Sequence, residues 1–285
     1  MDTMKKTRKA VASILAAVMV LALMLVGCGE AAPPASNGST PPATSGDTPV
    51  ADEGYTLLKD GKLIVGSDCD YPPFVYLEGE QPTGFEYDLL VAIADELGLE
   101  VEYLSPQTFN ALIALVNAGG KMDVACSSFT INDERLELVD FTDPYFDSNQ
   151  ACVALKSKGF TSASDLAGLT VGAQDGTTGQ VWAEENLSGI TMIPLVDAST
   201  AFAALQAGTV EAIFLDEPVA AEMVAQTYTD CEVVEAIPTG EQYGIAVSKD
   251  NPELTKAINE ALATLKANGT YERIFAKYFD FASTL

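Results

Sequence analysis

Ser127-Ser128-Phe129-Thr130-Ile131-Asn132-Asp133-Glu134-Arg135 is the segment on which the fold turns. It follows Met122-Asp123-Val124-Ala125-Cys126, a short apolar run that reads as the end of a buried strand. Two small hydroxyl residues and Thr130 come next, then an Asn-Asp-Glu cluster of the kind that starts a helix. Arg135 falls in the first turn after that cluster. The carboxyl end of one strand therefore offers backbone N–H groups, three hydroxyls and one planar guanidinium. Those donors suit a small carboxylate, which takes paired hydrogen bonds from arginine and further bonds from a turn. The same letters also suit a surface helix cap with Arg135 in a solvated ion pair. The surrounding chain decides between the two.

Upstream, Lys62-Leu63-Ile64-Val65-Gly66-Ser67 reads as a buried strand, and Asp68 to Phe74 as a loop by its prolines. Leu89, Leu90, Ile93 and Leu97 lie on one face of a helix that Gly98 ends. Glu100 to Leu104 is a strand and Phe109 to Ala118 a helix. Downstream, Asp140 to Tyr145 breaks the rhythm. Strands then resume at Ala151–Leu155, Thr170–Ala173, Thr191–Leu195, Ala212–Leu215, Glu232–Ile237 and Tyr243–Ser248. Helices carry Val181 and Trp182, Ala201 to Gln206, and the segment opened by Glu217-Pro218. Leu254, Ile258, Leu262 and Leu265 mark a long last helix that stops at Asn268-Gly269, before a short one over Tyr271–Phe279. Alternating strands and helices predict an α/β fold with right-handed crossovers and largely parallel sheets.

A faint internal repeat predicts two similar halves. Leu63-Ile64-Val65-Gly66 is echoed by Leu169-Thr170-Val171-Gly172. Ala118-Gly119 before Asp123-Val124-Ala125 is echoed by Ala207-Gly208 before Glu211-Ala212-Ile213. In each half, polar residues follow the strands at their carboxyl ends, the edge where open α/β sheets bind ligands. Two such edges face to face make a cleft.

Composition narrows the function. The chain has 285 residues, 15 Lys and Arg against 41 Asp and Glu, a formal charge of −26 and no histidine. It has no basic stripe for nucleic acid and none for an anionic membrane surface. Lack of histidine removes Ser-His-Asp and Cys-His catalysis and most zinc sites, so no metal and no cofactor is expected. At the amino terminus, Lys5, Lys6, Arg8 and Lys9 precede an apolar run from Ala10 to Val26. That is the pattern of a secretory signal, short for a membrane span. Leu25-Val26-Gly27-Cys28 resembles a bacterial lipobox. The resemblance implies that residues 1–27 are a lipoprotein signal peptide and that Cys28 carries the lipid. Residues 28–54, rich in Pro, Ser, Thr, Ala and Gly, read as a flexible tether.

Several residues are candidates for the cleft. Asp216 is a lone carboxylate after four apolar residues. It meets a ligand ammonium or caps the helix at Glu217. Thr177-Thr178-Gly179 lies at a helix start, where N–H groups take an anion. The glycines at 172, 176 and 179 lack dinucleotide-motif spacing. Tyr71 and Phe109 flank a ligand side chain or pack in the core. Asp68 meets a polar or cationic end or forms an Asx-turn, and Trp182 reads as helix core. Arg135 for a carboxylate and Asp216 for an ammonium complement a free α-amino acid.

Residues 60–281 resemble the polar amino-acid-binding proteins of bacterial ATP-driven importers, solute-binding protein family 3. The resemblance is carried by Asp68 with Tyr71–Phe74, Gly84–Leu89, Thr130–Arg135, Val139–Thr142, Asp175–Gly179, Asp216–Pro218, Tyr243–Ala246 and Asn268–Tyr271. It implies the type II periplasmic-binding-protein-like fold: two Rossmann-like lobes joined by a two-segment hinge. Lobe 1 then spans 55–147 and 243–285, lobe 2 spans 148–242, and the hinge lies near Asp147–Gln150 and Thr239–Tyr243. It implies that Arg135, Thr130 and the Thr177 and Thr178 N–H groups bind the α-carboxylate, and that Ser128 and Asp216 bind the α-ammonium. Tyr71 and Phe109 would sandwich the side chain, while Asp68, Ser127 and Gln174 read its end. The implied protein is not an enzyme. It is a monomeric, extracytoplasmic, lipid-anchored capture subunit that closes on an amino acid and docks on an ABC permease with its ATPase.

Two alternatives stand beside it: a dehydratase on the same fold, checked by prephenate turnover, and a sensory amino-acid-binding lobe. Asp68 and the net charge lean toward a basic or polar side chain, including an amide; Asp70 reads as pointing to solvent. Cys69, Cys126, Cys152 and Cys231 are either small buried thiols or disulfide partners, with Cys69 and Cys126 the pair brought near by their strands.

Overall fold

Asp216, Gln174, Ser127 and Asp68 reach one cleft because four strands, two from each of two sheets, end there. The structure, a computed structural model, describes residues 54–279. The signal sequence, Cys28 and nearly all of the tether lie outside the described residues. The chain begins with β1 (Lys62–Gly66), then a small antiparallel sheet of β2 (Asp70–Tyr71), β3 (Val75–Glu78) and β4 (Gln81–Thr83). α1 (Phe85–Glu96), β5 (Glu100–Tyr103), α2 (Phe109–Ala118), β6 (Val124–Ala125), α3 (Asp133–Leu138) and β7 (Asp140–Phe141) follow. β8 (Phe146–Leu155) leads to β9 (Thr170–Gln174), α4 (Thr178–Asn186), β10 (Thr191–Leu195), α5 (Ala198–Gln206), β11 (Ala212–Asp216) and α6 (Glu217–Gln226). β12 (Cys231–Tyr243), β13 (Ala246–Val247), α7 (Pro252–Ala267) and α8 (Thr270–Phe279) complete it.

Two five-stranded sheets result, ordered β5-β1-β6-β13-β7 and β10-β9-β11-β8-β12. Both belong to one compact unit. β1 pairs in parallel with β5 and β6, and β9 in parallel with β10 and β11. The expectation of largely parallel sheets needs amending, because β8, β12 and β13 pair antiparallel with their neighbours. The reason is geometric. Parallel strands here end at the cleft, so a strand that enters a sheet from the cleft must run against them. β8 and β12 are also longer than the sequence suggests. They pair with each other from Phe146 opposite Tyr243 to Leu155 opposite Cys231, with bulges on the way. The expected break between Ile237 and Tyr243 is therefore one continuous strand, because pairing with β8 satisfies its backbone. The stretch Asp68–Phe74, read as a loop, contains β2, which pairs with β3 of the hairpin that follows it.

Helix faces follow the apolar spacing. Leu254, Ile258, Leu262 and Leu265 of α7 are buried, as are Leu89, Leu90 and Ile93 of α1. Phe74, Phe85, Phe146, Tyr243 and Phe279 form an edge-on and tilted aromatic cluster under the crossing strands, with Phe74 and Phe146 centroids 4.8 Å apart. The four described cysteines of the body are buried free thiols. Burial pushes the Cys152 thiol up to about 12, so these groups pack as small hydrophobes.

Gly84 fixes the start of α1. Its φ is 118°, and a Cβ there would lie 2.3 Å from the Phe74 carbonyl oxygen. The N–H groups of Phe85 and Glu86 bond the Pro73 and Phe74 carbonyls at 2.9 and 2.8 Å. Gly84→Ala is therefore expected to destabilise the protein by about 2–3 kcal/mol, read as a lower urea midpoint at constant slope.

Candidate functional site

Strand ends bring the polar residues together. Asp68 follows β1, Ser127 and Ser128 follow β6, Gln174 ends β9 and Asp216 ends β11. One cavity is lined by Asp68, Tyr71, Phe109, Ser127, Ser128, Thr130, Arg135, Gln174, Thr177, Thr178 and Asp216. The structure thus gathers every ligand-site residue expected from the sequence around one space.

Arg135 sits in the first turn of α3, whose N-cap Asn132 accepts from the Arg135 N–H at 2.9 Å. Its guanidinium lies over the stacked rings of Phe109 and Phe129, 5.5 and 5.4 Å from their centroids. It donates to the Thr130 carbonyl at 2.8 Å and across the cleft to the Gly176 carbonyl at 3.1 Å. No ion pair to Arg135 forms among the described residues. Burial pulls the guanidinium below its ordinary value, and the charges of Asp216 and Glu241 push back. A partly buried cation bonded only to carbonyls retains demand for an anion.

Asp216 occupies the N-cap position of α6, yet its side chain makes no capping bond. It turns into the cavity instead, where it accepts from Gln150 and from the Tyr243 hydroxyl. Its own N–H donates to the Tyr71 hydroxyl oxygen at 3.1 Å. Burial, then the charge of Glu241, pushes this carboxyl up to about 7. A cation placed beside it would restore the ionised form.

Ser128 contributes less than its side chain suggests. Both its N–H and its hydroxyl donate to Glu86 Oε1 at 2.8 Å. Its φ of 51° belongs to the left-handed region, so the turn is held by Glu86, and the carbonyl is what Ser128 can offer a ligand. Glu86 also accepts from the Tyr145 hydroxyl at 2.5 Å. Burial pushes the Glu86 carboxyl up to about 7. The Thr177 hydroxyl is likewise committed, donating to the Gln174 carbonyl at 2.7 Å and accepting from the Gln180 N–H at 3.3 Å. The Thr177 N–H bonds the Gln174 carbonyl at 3.3 Å. The expected pair of N–H donors at the start of α4 thus reduces to Thr178.

At the far end of the cavity, Asp68 accepts from Ser127 Oγ at 2.6 Å and from Gln174 Nε2 at 2.9 Å. Burial raises its pKa, and those two hydrogen bonds oppose the rise. Asp70 does not point to solvent as the sequence suggests. It accepts from the Ser199 N–H at 2.7 Å and Oγ at 2.6 Å across the cleft, where the first turn of α5 supplies both donors. Asn110 donates to Asp175 at 2.5 Å in the same way. Trp182 packs on Phe214 at 5.7 Å and is partly buried.

Sequence reasoning missed Gln150, Glu241 and Glu86. Gln150 and Glu241 lie on β8 and β12, where a polar residue in a strand carries no periodic sign of what it meets. Glu86 stood inside a motif already noticed, and its burial was the missing information. Among the described residues, no cluster of His, Cys, Asp or Glu is fit to hold a metal, and no helix is long and apolar enough to cross a membrane.

Residues 63–281 match the family described as bacterial extracellular solute-binding proteins, family 3. The L-cystine-binding protein TcyJ of Escherichia coli strain K12 is 32% identical over 223 residues, which cover 77% of this chain and 83% of that protein. Among solved structures, an ancestral arginine-binding protein bound to glutamine is 38% identical with a TM-score of 0.74, covering 78% of this chain and 99% of that one. An ancestral amino acid-binding protein, described as a precursor of cyclohexadienyl dehydratase, is 35% identical with a TM-score of 0.71, covering 77% and 96%. These likenesses agree with the α/β architecture of two sheets facing a cleft.

Proposed function

Since the chain belongs to the bacterial extracellular solute-binding proteins, family 3, we propose that it captures a free amino acid with a polar or basic side chain and delivers it to the permease of an ABC importer. The observation that carries this reading is the pairing of Arg135, a cleft guanidinium without an ion partner among the described residues, with Asp216, a buried carboxyl without a cation. In this reading Arg135 takes the α-carboxylate with the Thr130 and Thr178 N–H groups, while Asp216 and the Ser128 carbonyl take the α-ammonium. Tyr71 and Phe109 flank the side chain, and Asp68, with Ser127 and Gln174, meets its end. Residues 55–147 and 243–285 act as one lobe and 148–242 as the other, with the crossing segments near Asp147–Gln150 and Thr239–Tyr243 as the hinge. The bonds of Asp68 to Gln174, Asp70 to Ser199 and Asn110 to Asp175 span the cleft and support a closed form. The protein acts as a monomer, held outside the membrane by lipid on Cys28.

Capture rather than catalysis is supported by the relatives, which are named as amino-acid-binding proteins. No turnover of prephenate is expected. The direct test is a thermal-shift screen of the refolded, ligand-stripped protein against the twenty amino acids and cystine. A ligand that binds only the folded state raises the melting temperature. One or a few clear shifts support the reading, and no shift overturns it.

The role of Asp68 is tested in the same screen. Asp68→Asn is expected to weaken ligands with a cationic end roughly tenfold or more while sparing others, by loss of one close charge. Equal losses for all ligands would make Asp68 structural.

A further inference from the structure

Glu241 has no role in that capture, yet it accepts from two of the hydroxyls that line the cavity. It stands on β12 opposite Ser148 of β8. Its Oε2 accepts from Thr130 Oγ1 at 2.6 Å and from Thr178 Oγ1 at 2.9 Å, one hydroxyl from each side of the cleft. Gln150 Nε2 approaches its two oxygens at 3.1 and 3.2 Å and also donates to Asp216. One amide therefore stands between two carboxylates. Neither acid forms an ion pair among the described residues. A carboxylate held only by neutral donors keeps most of its field on its neighbours. Asp216 responds to it, since Glu241 is the second cause, after burial, of its raised carboxyl.

We propose that Glu241 is a specificity-determining residue of this site: its carboxylate, held by the cavity-lining Thr130 and Thr178, makes the pocket refuse a carboxylate that arrives without an α-ammonium. The proposal rests on the amino-acid reading. A zwitterion brings both charges on adjacent groups, so repulsion of its carboxylate by Glu241 is offset by attraction of its ammonium. A ligand without the ammonium leaves Asp216 and Glu241 facing an added anion, with Arg135 the one cation among the cavity-lining residues. The hydroxyls sharpen the effect. Each carries a single proton, and both protons are directed at Glu241. A ligand carboxylate is therefore left to Arg135 and backbone N–H groups, and the ammonium carries more of the binding. This assigns Glu241 a function that its place in a crossing strand does not suggest.

The test compares an amino acid with the acid that lacks only its α-amino group, by titration calorimetry on the whole protein. The pair is set by the largest shift in the screen: L-arginine with 5-guanidinopentanoate, L-glutamine with glutaramate, and otherwise the binder with the acid that lacks one α-amino group. The quantity read is the ratio of the two dissociation constants. Glu241→Gln keeps the shape and an acceptor for both hydroxyls but removes the charge, and it is expected to reduce the ratio at least tenfold. Glu241→Asp keeps the charge and is expected to retain most of the ratio. A merely structural role would move both affinities together and leave the ratio unchanged. A ratio unchanged in Glu241→Gln, or reduced equally in Glu241→Asp, overturns the inference alone. Wild-type protein that binds no amino acid overturns the underlying reading and the inference with it.

Discussion

Arg135→Ala is expected to abolish the thermal shift produced by every amino acid that stabilises the wild-type protein. The expected loss is roughly a thousandfold or more in affinity, on the order of 4 kcal/mol, because truncating one partner of a desolvated charge pair leaves the other unpaired. The side chain is built for this role by its surroundings. Phe109 and Phe129 hold the guanidinium plane, and the Thr130 and Gly176 carbonyls take donors on its two terminal nitrogens. Arg135→Lys retains charge but loses the planar fork, so it is expected to recover only a small part of the binding. Removal of Arg135 also removes a link across the cleft, and the unliganded melting temperature separates that effect. A large drop in the unliganded protein would assign Arg135 to structure. A small drop with binding gone assigns it to the ligand.

The legibility of this site in the sequence was uneven for physical reasons. Strand ends were easy to read, because Val124-Ala125 and Ala212–Leu215 are buried apolar runs that stop abruptly at polar residues. That abruptness located Ser127, Ser128 and Asp216 without knowledge of the partners. Orientation was harder to read. Asp216 has the residue type and position of an N-cap, and only the tertiary fold shows that its carboxyl turns away from the helix toward Tyr243 and Gln150. Asp70 lay in a stretch read as a loop, and its bond to Ser199 joins residues far apart in sequence. The crossing strands were the least legible. Their pairing brings Glu241 beside Ser148 and near Gln150, a contact set by register across the fold. No local pattern of charge or hydropathy encodes it. The prolines before Phe74 made Asp68–Phe74 read as a loop, and the pairing of Asp70 and Tyr71 with β3 stayed hidden.

Asp216→Asn is expected to weaken amino-acid binding by roughly a hundredfold and to remove its dependence on pH. The first effect follows from losing the carboxylate that meets the ammonium in a buried site, worth about 2–3 kcal/mol. The second follows from the raised carboxyl. Its pKa moves from the ordinary 3.8 to about 7 because burial, and then Glu241, disfavour the ionised form. Between about pH 4 and pH 7 the folded, unliganded protein holds a proton that the unfolded chain has released. Stability of the unliganded protein therefore falls as pH rises through that window, and Glu86, also raised to about 7, adds to the fall. Binding runs the other way. A ligand ammonium needs the ionised Asp216, so below pH 7 it must expel the proton. Affinity is then expected to rise roughly tenfold per unit up to about pH 7 and to level off above it. Asparagine carries no titrating proton, so Asp216→Asn should show a flat affinity over the same range while keeping the fall in unliganded stability that belongs to Glu86. Titration calorimetry from pH 5 to pH 8, in buffers of different ionisation heat, reads both the slope and the proton released. A slope that persists in Asp216→Asn would place the titrating group elsewhere and leave Asp216 as a neutral hydrogen-bonding partner of Tyr243 and Gln150.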